Sequence, residues 1–274
     1  MWLAVDAAGQ RICAWPVGAD GPAQVPVAVE RLDLLPASPA PVVIDGSPDA
    51  PVLACPFAID SLRGAVRHAG GRHVLPLLRD AGAEAGAARL VGALELARWR
   101  DAPARGRLVG ICGADGAMRW GFARDGRIER LRATATGAAL GDLLRRTTAQ
   151  GAADEDDDVA FERGLSIAED ARDLEADLDR VMGEGGSGRL RGGAVGATLA
   201  GVLVGHDAAH GLRLCRLGAP VLLVGEGLLA DRYATALGRF GVAARRFASL
   251  RALVAGCRLL AGMSDSDCEG GSAH

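Results

Sequence analysis

Two glycines near the end of the chain separate an apolar run from a helical pattern. The run V-L-L-V, residues 221–224, does not alternate, which is typical of a strand covered on both faces. Gly225 and Gly227 follow, and from Leu228 the apolar residues recur at helical spacing. Such a turn lets a phosphate or a flat ligand approach the backbone, and the free N–H groups of a helix start attract anions. Because short glycine patterns match often, the motif by itself favours a strand-to-helix connection that binds nothing.

Acidic and imidazole side chains offer three further candidates for chemistry. Asp6 ends the apolar run of residues 2–6 and places a carboxylate at the end of the first predicted strand. The acidic run 154–158 predicts a solvated loop, because adjacent carboxylates repel, and a metal site there needs converging partners. His206 and His210 are one helical turn apart, as a metal pair would be, but the sequence suggests no third ligand.

The composition excludes several classes of function. All 31 basic residues are arginine, so no lysine can bind phosphate or act in catalysis. A formal net charge of −3 gives no support for nucleic-acid binding. The 6 cysteines are widely spaced without a C-x-x-C pair, which indicates reduced core residues in a cytoplasmic protein rather than a zinc framework. The N-terminus has no signal-peptide pattern and no apolar run reaches membrane-spanning length, so we expect no membrane association.

The order of predicted elements suggests two similar α/β lobes with a cleft between them. A β-meander opens the chain, a proline-rich segment and a helix follow, and a second hairpin precedes several helices and a closing β-α-β-α unit. We expect lobes at residues 1–106 and 107–262, followed by a disordered tail at 263–274. The helices are expected at 83–100, 136–146, 161–182, 194–210, from 228, and at 248–261.

The glycine-rich segment 183–193 has two interpretations. It contains Arg189 and Arg191, so a phosphate cradle is conceivable. Its composition favours a flexible connection between helices.

Matches to one known family run in order along nearly the whole chain. They are W-L-A-V-D-A-A-G-Q-R-I-C-A-W (2–15), R-L-V-G-I-C-G-A-D-G (107–116), R-A-T-A-T-G-A-A-L-G-D-L-L (132–144), F-E-R-G-L (161–165), L-A-G-V-L-V-G (199–205) and V-L-L-V-G-E-G-L-L-A-D-R-Y-A-T-A-L (221–237). These segments resemble those of 2-dehydro-3-deoxygalactonokinase, a sugar-acid kinase of the actin/hexokinase/Hsp70-like ATPase superfamily. Several matches in order are more specific than any one of them.

The resemblance implies a fold, a reaction and a set of residues. The fold is the two-lobed actin-like (ribonuclease H-like) α/β ATPase fold. ATP with Mg²⁺ lies between the lobes, and a hydroxyl of the small-molecule sugar acid, 2-dehydro-3-deoxy-D-galactonate, attacks the γ-phosphate. The resemblance is also compatible with a homo-oligomer. The implied catalytic residues are Asp6 and Asp115, with Asp6 also the metal ligand, and the implied cofactor-binding residues are Gly9, Gly113, Thr136, Gly137, Gly225 and Gly227.

The sequence departs from the family pattern where the chemistry is expected. After Asp6 it reads A-A-G-Q-R and lacks the family's hydroxyl side chains, and Asp115 takes the place of a histidine. Each lost contact of this kind typically costs ~10²–10³ in rate. The alternative hypothesis is therefore a catalytically impaired kinase-like protein that binds nucleotide, sugar acid or a partner in a regulatory or structural role. A fold kept without any ligand is a third hypothesis.

Overall fold

The computed structural model describes residues 2–7, 12–18, 21–22, 26–29, 41–69, 72–80, 83–101, 104, 106–113, 117–134, 136, 139, 158–170, 173–190, 192–215 and 219–262. The strands are β1 (Trp2–Asp6), β2 (Ile12–Gly18), β3 (Gly21–Pro22), β4 (Val27–Val29), β5 (Val42–Asp45), β6 (Val52–Ala54), β7 (Phe57–Ala58), β8 (Arg67–Ala69), β9 (Arg72–Val74), β10 (Leu77–Asp80), β11 (Ala83–Gly86), β12 (Arg107–Cys112), β13 (Met118–Arg124), β14 (Arg127–Thr134), β15 (Val221–Val224) and β16 (Ala244–Phe247). The α-helices are α1 (Ser61–Gly64), α2 (Ala87–Leu96), α3 (Asp158–Ile167), α4 (Leu174–Gly186), α5 (Gly192–Leu212), α6 (Gly227–Arg239) and α7 (Ser249–Ala261).

Two large sheets share the same central arrangement of strands. In the N-terminal sheet, ordered β3-β2-β1-β5-β9-β8, β1 is antiparallel to β2 and parallel to β5. In the C-terminal sheet, ordered β16-β15-β12-β13-β14-β7, β12 is antiparallel to β13 and parallel to β15. β4 pairs with β2 at the side of the N-terminal sheet, and a smaller sheet, β11-β10-β6, completes the described strands. The repeated arrangement agrees with the two similar lobes expected from the sequence.

The helix pair α2–α7 lies between the two large sheets and shares one apolar core with both. Alternate residues of β1, among them Trp2 and Ala4, face this core from the N-terminal sheet. Val109 and Ile111 of β12 face it from the C-terminal sheet. The opposite face of the C-terminal sheet packs in a second core with residues of α3, α5 and α6. The side chains on the inner faces of both sheets therefore pack against the central helices.

The two central helices cross at a pair of glycines. A Cβ atom added to Gly92 would lie 1.8 Å from the carbonyl oxygen of Ala252, and one added to Gly256 would lie 1.9 Å from the carbonyl oxygen of Ala88. No real Cβ contact is this short, so only glycine allows the two backbones to approach this closely. The crossing holds α7, which also packs against β1 and β5, next to the first turn of α2.

Apart from the helix predicted at 136–146, the predicted helices are present, with several ends displaced. The helix expected at 83–100 begins at Ala87, because Ala83–Gly86 pairs with β10 as a strand. The continuous helix expected at 161–182 is wrong: α3 ends at Ile167, and a separate helix, α4, follows.

Other expectations are only partly covered by the described residues. The glycine-rich segment 183–193 contains the connection between α4 and α5, and both helices extend into it. Most of 136–146, the acidic residues 154–157 and the tail 263–274 lie outside the described residues. The lobe boundaries remain a prediction. Among the described helices, none has the length and apolar character that a membrane crossing requires.

Candidate active site

Two buried carboxylates lie side by side where β1 and β5 end. The strands are parallel, and their register pairs Asp6 with Asp45, so both side chains point to the same face of the sheet. Asp6 is 8% exposed and Asp45 is 1% exposed. Two adjacent ionised carboxylates in a buried place repel each other and disfavour each other's charge. A nearby cation would stabilise both ionised groups.

Arg89, in the first turn of α2, supplies that positive charge. Its Nη2 donates a hydrogen bond to Oδ2 of Asp6 at 2.6 Å. Its Nε donates to Oγ of Ser249, the first residue of α7, at 2.8 Å. Burial lowers the pKa of Arg89, but the neighbouring charges of Asp6 and Asp45 outweigh that effect and raise it. The guanidinium therefore stays charged between the N-terminal sheet and both central helices.

Asp45 contacts the start of α2 and accepts a hydrogen bond from its backbone. Its Oδ1 accepts a hydrogen bond from the backbone N–H of Ala88 at 3.2 Å. A Cβ atom on Gly86, the residue before the helix, would lie 2.4 Å from its Oδ2, so only glycine leaves room for the carboxyl group. Burial raises the pKa of Asp45 from 3.8 to about 6, although Arg89 and the Ala88 N–H lower it. Asp45 caps α2 from a distant part of the chain.

A series of hydrogen bonds leads from this cluster to the glycine turn after β15. The backbone N–H of Ser249 donates to Oε1 of Glu226 at 2.7 Å. Glu226 lies between Gly225 and Gly227, whose φ angles are 148° and 75°. Residues with a side chain rarely adopt such angles, so the predicted need for glycine at this turn is confirmed. Asp6 is thus connected, through Arg89 and Ser249, to the turn in the other lobe.

A second turn lies next to this one. A Cβ atom on Gly225 would lie 2.8 Å from the Cβ of Cys112, the last residue of β12. Gly113 follows, and its N–H donates to the carbonyl oxygen of Ala117 at 2.8 Å, which closes the turn between β12 and β13. Burial raises the pKa of the Cys112 thiol to about 12, so this thiol stays neutral. The structure therefore brings Gly113 and Gly225 close together.

Asp207 of α5 forms a separate buried cluster on the outer side of the C-terminal sheet. Its Oδ2 accepts hydrogen bonds from Oγ1 of Thr134, at 2.9 Å, and from the hydroxyl of Tyr233. Asp207 is 4% exposed. Burial raises its pKa, while the hydrogen bonds from Tyr233 and Thr134 lower it. Here a buried carboxylate is surrounded by neutral hydroxyl groups instead of a guanidinium.

The cluster also contacts the Thr136 hydroxyl group. Oγ1 of Thr136 lies 3.3 Å from Oγ1 of Thr134, which is itself within hydrogen-bond distance of Asp207 and of the carbonyl oxygen of Met118. The cluster therefore positions the hydroxyl group of Thr136.

The structure covers only part of the predicted site. Gly9, Asp115 and Gly137 lie outside the described residues, and the functional roles of all eight predicted residues remain predictions. The sequence analysis missed the residues that hold Asp6, the glycine turn and Thr136 in place. For Asp45 a signal existed, since it ends an apolar run much as Asp6 does. The missed residues are Asp45, Arg89, Ser249, Glu226, Asp207 and Tyr233.

The donor set at Asp6 suits a guanidinium better than a directly bound divalent ion. Arg89 contacts the Asp6 carboxylate, and within the described ranges no three His, Cys, Asp or Glu side chains converge as metal ligands. The suggested histidine pair has another arrangement: Nε2 of His206 lies 2.6 Å from Oδ2 of Asp177, and the His206 and His210 ring centroids are 6.5 Å apart. His206 is thus held by a carboxylate from α4.

Comparisons with solved structures identify the fold. A candidate 2-dehydro-3-deoxygalactonokinase from Sinorhizobium meliloti has a TM-score of 0.74 and 23% identity over 95% of this chain and 98% of that one. The (R)-2-hydroxyglutaryl-CoA dehydratase component A from Acidaminococcus fermentans has a TM-score of 0.46 and 9% identity over 97% and 98%. A ROK family protein from Streptococcus pneumoniae TIGR4 has a TM-score of 0.40 and 11% identity over 94% and 97%. The predicted two-lobed actin-like α/β fold is confirmed.

Sequence comparison gives the family. No protein among the curated sequences matches the chain. The family model of 2-keto-3-deoxy-galactonokinase matches residues 44–260, well over half of the chain. The resemblance noted in the sequence is therefore confirmed, and the chain belongs to the 2-keto-3-deoxy-galactonokinase family.

Proposed function

We propose that the protein transfers the γ-phosphoryl group of ATP to the terminal hydroxyl of 2-dehydro-3-deoxy-D-galactonate in the cytoplasm. The observation that carries this proposal is the family match over residues 44–260. The buried Asp6–Arg89 pair supports it, because a phosphoryl transfer needs positive charge held in place near the reacting oxygens.

The proposed reaction is a displacement at phosphorus. The hydroxyl oxygen of the sugar acid bonds to the γ-phosphorus while the bond to the bridging oxygen breaks, and ADP leaves with that bond's electrons. The hydroxyl proton passes to a carboxylate or to water. Asp6 and Asp115 are the carboxylates that we propose act in the transfer. Mg²⁺ enters as the ion that ATP carries in solution, and no protein ligand is assigned to it.

The remaining predicted residues are proposed to hold the nucleotide. Glycines leave room for phosphate oxygens to approach backbone N–H groups, which suits Gly9, Gly113 and Gly137. The hydroxyl group of Thr136 is proposed to form a hydrogen bond with the nucleotide. The turn formed by Gly225 and Gly227 is proposed to lie against the adenine.

The test is sugar-dependent release of ADP. Purified full-length protein would be mixed with ATP, Mg²⁺ and 2-dehydro-3-deoxygalactonate, and ADP would be followed by a coupled assay. We expect release only when the sugar acid is present. Asp6→Asn should lower kcat by at least ~10²-fold, the usual contribution of a group that acts directly in proton transfer or positions a charge.

Asp60→Asn is the matched control. Asp60 also carries a carboxylate that contacts an arginine, Arg100, but its side chain is 79% exposed. Its replacement should leave kcat unchanged. Folded protein that releases no ADP under any of these conditions would overturn the proposal, and an increase in melting temperature with ATP would then favour the catalytically impaired alternative.

A further inference from the structure

The family resemblance implies a metal ion at Asp6, whereas the structure places an arginine there. Nη2 of Arg89 lies 2.6 Å from the Asp6 carboxylate, within the distance of a charge-assisted hydrogen bond. A divalent ion bound to the same oxygen would lie against the guanidinium, and the two like charges would repel. Arg89 therefore already occupies Oδ2 of Asp6.

Two nitrogens of the Arg89 guanidinium are held by hydrogen bonds, and the third can still donate one. Asp6 fixes Nη2, and Ser249 fixes Nε from the opposite helix. The third nitrogen, Nη1, donates to no partner among the described residues. The side chain is 15% exposed, so part of it still reaches solvent. A planar guanidinium with two nitrogens fixed and a third left over can bind a phosphate or carboxylate oxygen.

We propose that Arg89 is the fixed cation of the active site and binds an oxyanion of the ligand directly, without a protein-bound divalent ion. The oxyanion is a phosphate of the nucleotide or the carboxylate of the sugar acid. In addition to the role proposed above, Asp6 holds Arg89 in position. The inference rests on the proposed function for the identity of the ligands.

The neighbouring charges are consistent with this role. Asp45 lies on the other side of Asp6 and is too buried to contact a ligand. Ser249 is tied through its backbone N–H to Glu226, so the position of Arg89 also depends on the glycine turn in the C-terminal lobe. A ligand that contacts both the turn and Arg89 would bridge the two lobes.

Calorimetric titration of the full-length protein tests the proposal. Metal-free ATP in EDTA, ATP with Mg²⁺, and 2-dehydro-3-deoxygalactonate alone would be titrated into wild-type protein and into the variants. We expect the ligand that contacts Arg89 to bind with the same Kd, within about three-fold, in EDTA and in Mg²⁺. Arg89→Met should weaken that ligand by about ten-fold or more, the usual effect of losing a hydrogen bond to a charged group.

Three further variants sharpen the test. Arg89→Lys keeps the positive charge that the carboxylates need, so it serves if Arg89→Met does not fold, and it should bind with intermediate affinity. Asp6→Asn should weaken binding equally in EDTA and in Mg²⁺. Arg180→Met removes an arginine from the exposed surface of α4, where Arg180 is 62% exposed, and should change neither titration.

The outcomes separate the sources of the oxyanion. A loss confined to ATP assigns Arg89 to a phosphate, and a loss confined to the sugar acid assigns it to the carboxylate. Binding of ATP that requires Mg²⁺ in the wild type and loses that requirement in Asp6→Asn would overturn the inference, as would Arg89→Met protein that binds both ligands normally. Metal-independent binding without any sugar-dependent ADP release would support the inference while removing the proposed function.

Discussion

Different groups stabilise the buried carboxylates of the two lobes. In the N-terminal sheet, the last inward-facing residues of β1 and β5 are Asp6 and Asp45, and a guanidinium compensates their charge. In the C-terminal sheet, the corresponding residues of β12 and β15 are Ile111 and Val224, which belong to the apolar core.

The buried carboxylate of the C-terminal lobe, Asp207, lies on the outer side of its sheet. Neutral hydroxyl groups of Thr134 and Tyr233 surround it. Similar sheet topologies therefore support two kinds of polar cluster. The cluster between the sheets depends on a cation, whereas the outer cluster depends on hydrogen bonds alone.

Removal of the cation should give the largest effect. Arg89→Met leaves two adjacent buried carboxylates without compensation, which typically costs about 3–5 kcal/mol of unfolding free energy. The loss should be smaller at pH 5 than at pH 8, because Asp45 can take up a proton at the lower pH. Urea unfolding at both pH values measures it. In Arg180→Met, which breaks an exposed ion pair, the change should stay within about 0.5 kcal/mol. Equal stability of the Arg89→Met and wild-type proteins would remove the contrast between the clusters.

The pH dependence of Asp45 should be the next largest effect. Its folded pKa of about 6 lies above the ordinary value of 3.8, so the folded state holds the proton that the unfolded state releases between these values. Stability from this group is complete below pH 4 and falls by about 3 kcal/mol as the pH rises through 6. Asp45→Asn should remove that slope. Unfolding free energies of both proteins at several pH values from 4 to 8 would check it, and parallel curves would contradict it.

Loss of a hydroxyl group beside Asp207 should lower the unfolding free energy by a smaller amount. Tyr233→Phe removes one donor from the buried Asp207 carboxylate and should cost about 1.5–3 kcal/mol, the range for hydrogen bonds to charged groups. The cost should increase with pH, because a protonated carboxyl group depends less on donors. Chemical denaturation measures both. A loss as large as that of Arg89→Met would show that hydroxyl groups carry as much of the compensation as the guanidinium does.

The smallest expected effect concerns the hydrogen bond between Arg89 and Ser249. Ser249→Ala removes the hydrogen bond that Oγ accepts from Nε of Arg89 but keeps the contact from Arg89 to Asp6. We expect a loss of about 0.5–1.5 kcal/mol in thermal unfolding. Its backbone N–H still reaches Glu226, so the glycine turn should be unaffected. A loss above the Tyr233→Phe value would indicate that Ser249 is essential to the position of Arg89.

Local sequence patterns were sufficient for the parts of the site that depend on neighbouring residues. The V-L-L-V run predicts β15, and Gly225 and Gly227 adopt the φ angles that the predicted turn requires. The apolar run at the start of the chain likewise predicts β1 and places Asp6 at its end. These features depend on backbone conformation and on burial of consecutive side chains, which a short segment of sequence specifies.

The positions of the charges were decided only by the tertiary structure. Arg89 looked like one residue of a helix beginning near residue 83, and nothing in its own segment connects it to Asp6, 83 positions earlier. The parallel register of β1 and β5 brings Asp45 beside Asp6, and the Gly92–Gly256 crossing brings α7 with Ser249 against α2. Sheet register and helix crossing arise from packing among distant segments. The sequence therefore determined the strands, the turns and the family, whereas the pairing of Asp6 with a guanidinium follows from the tertiary packing of the two lobes.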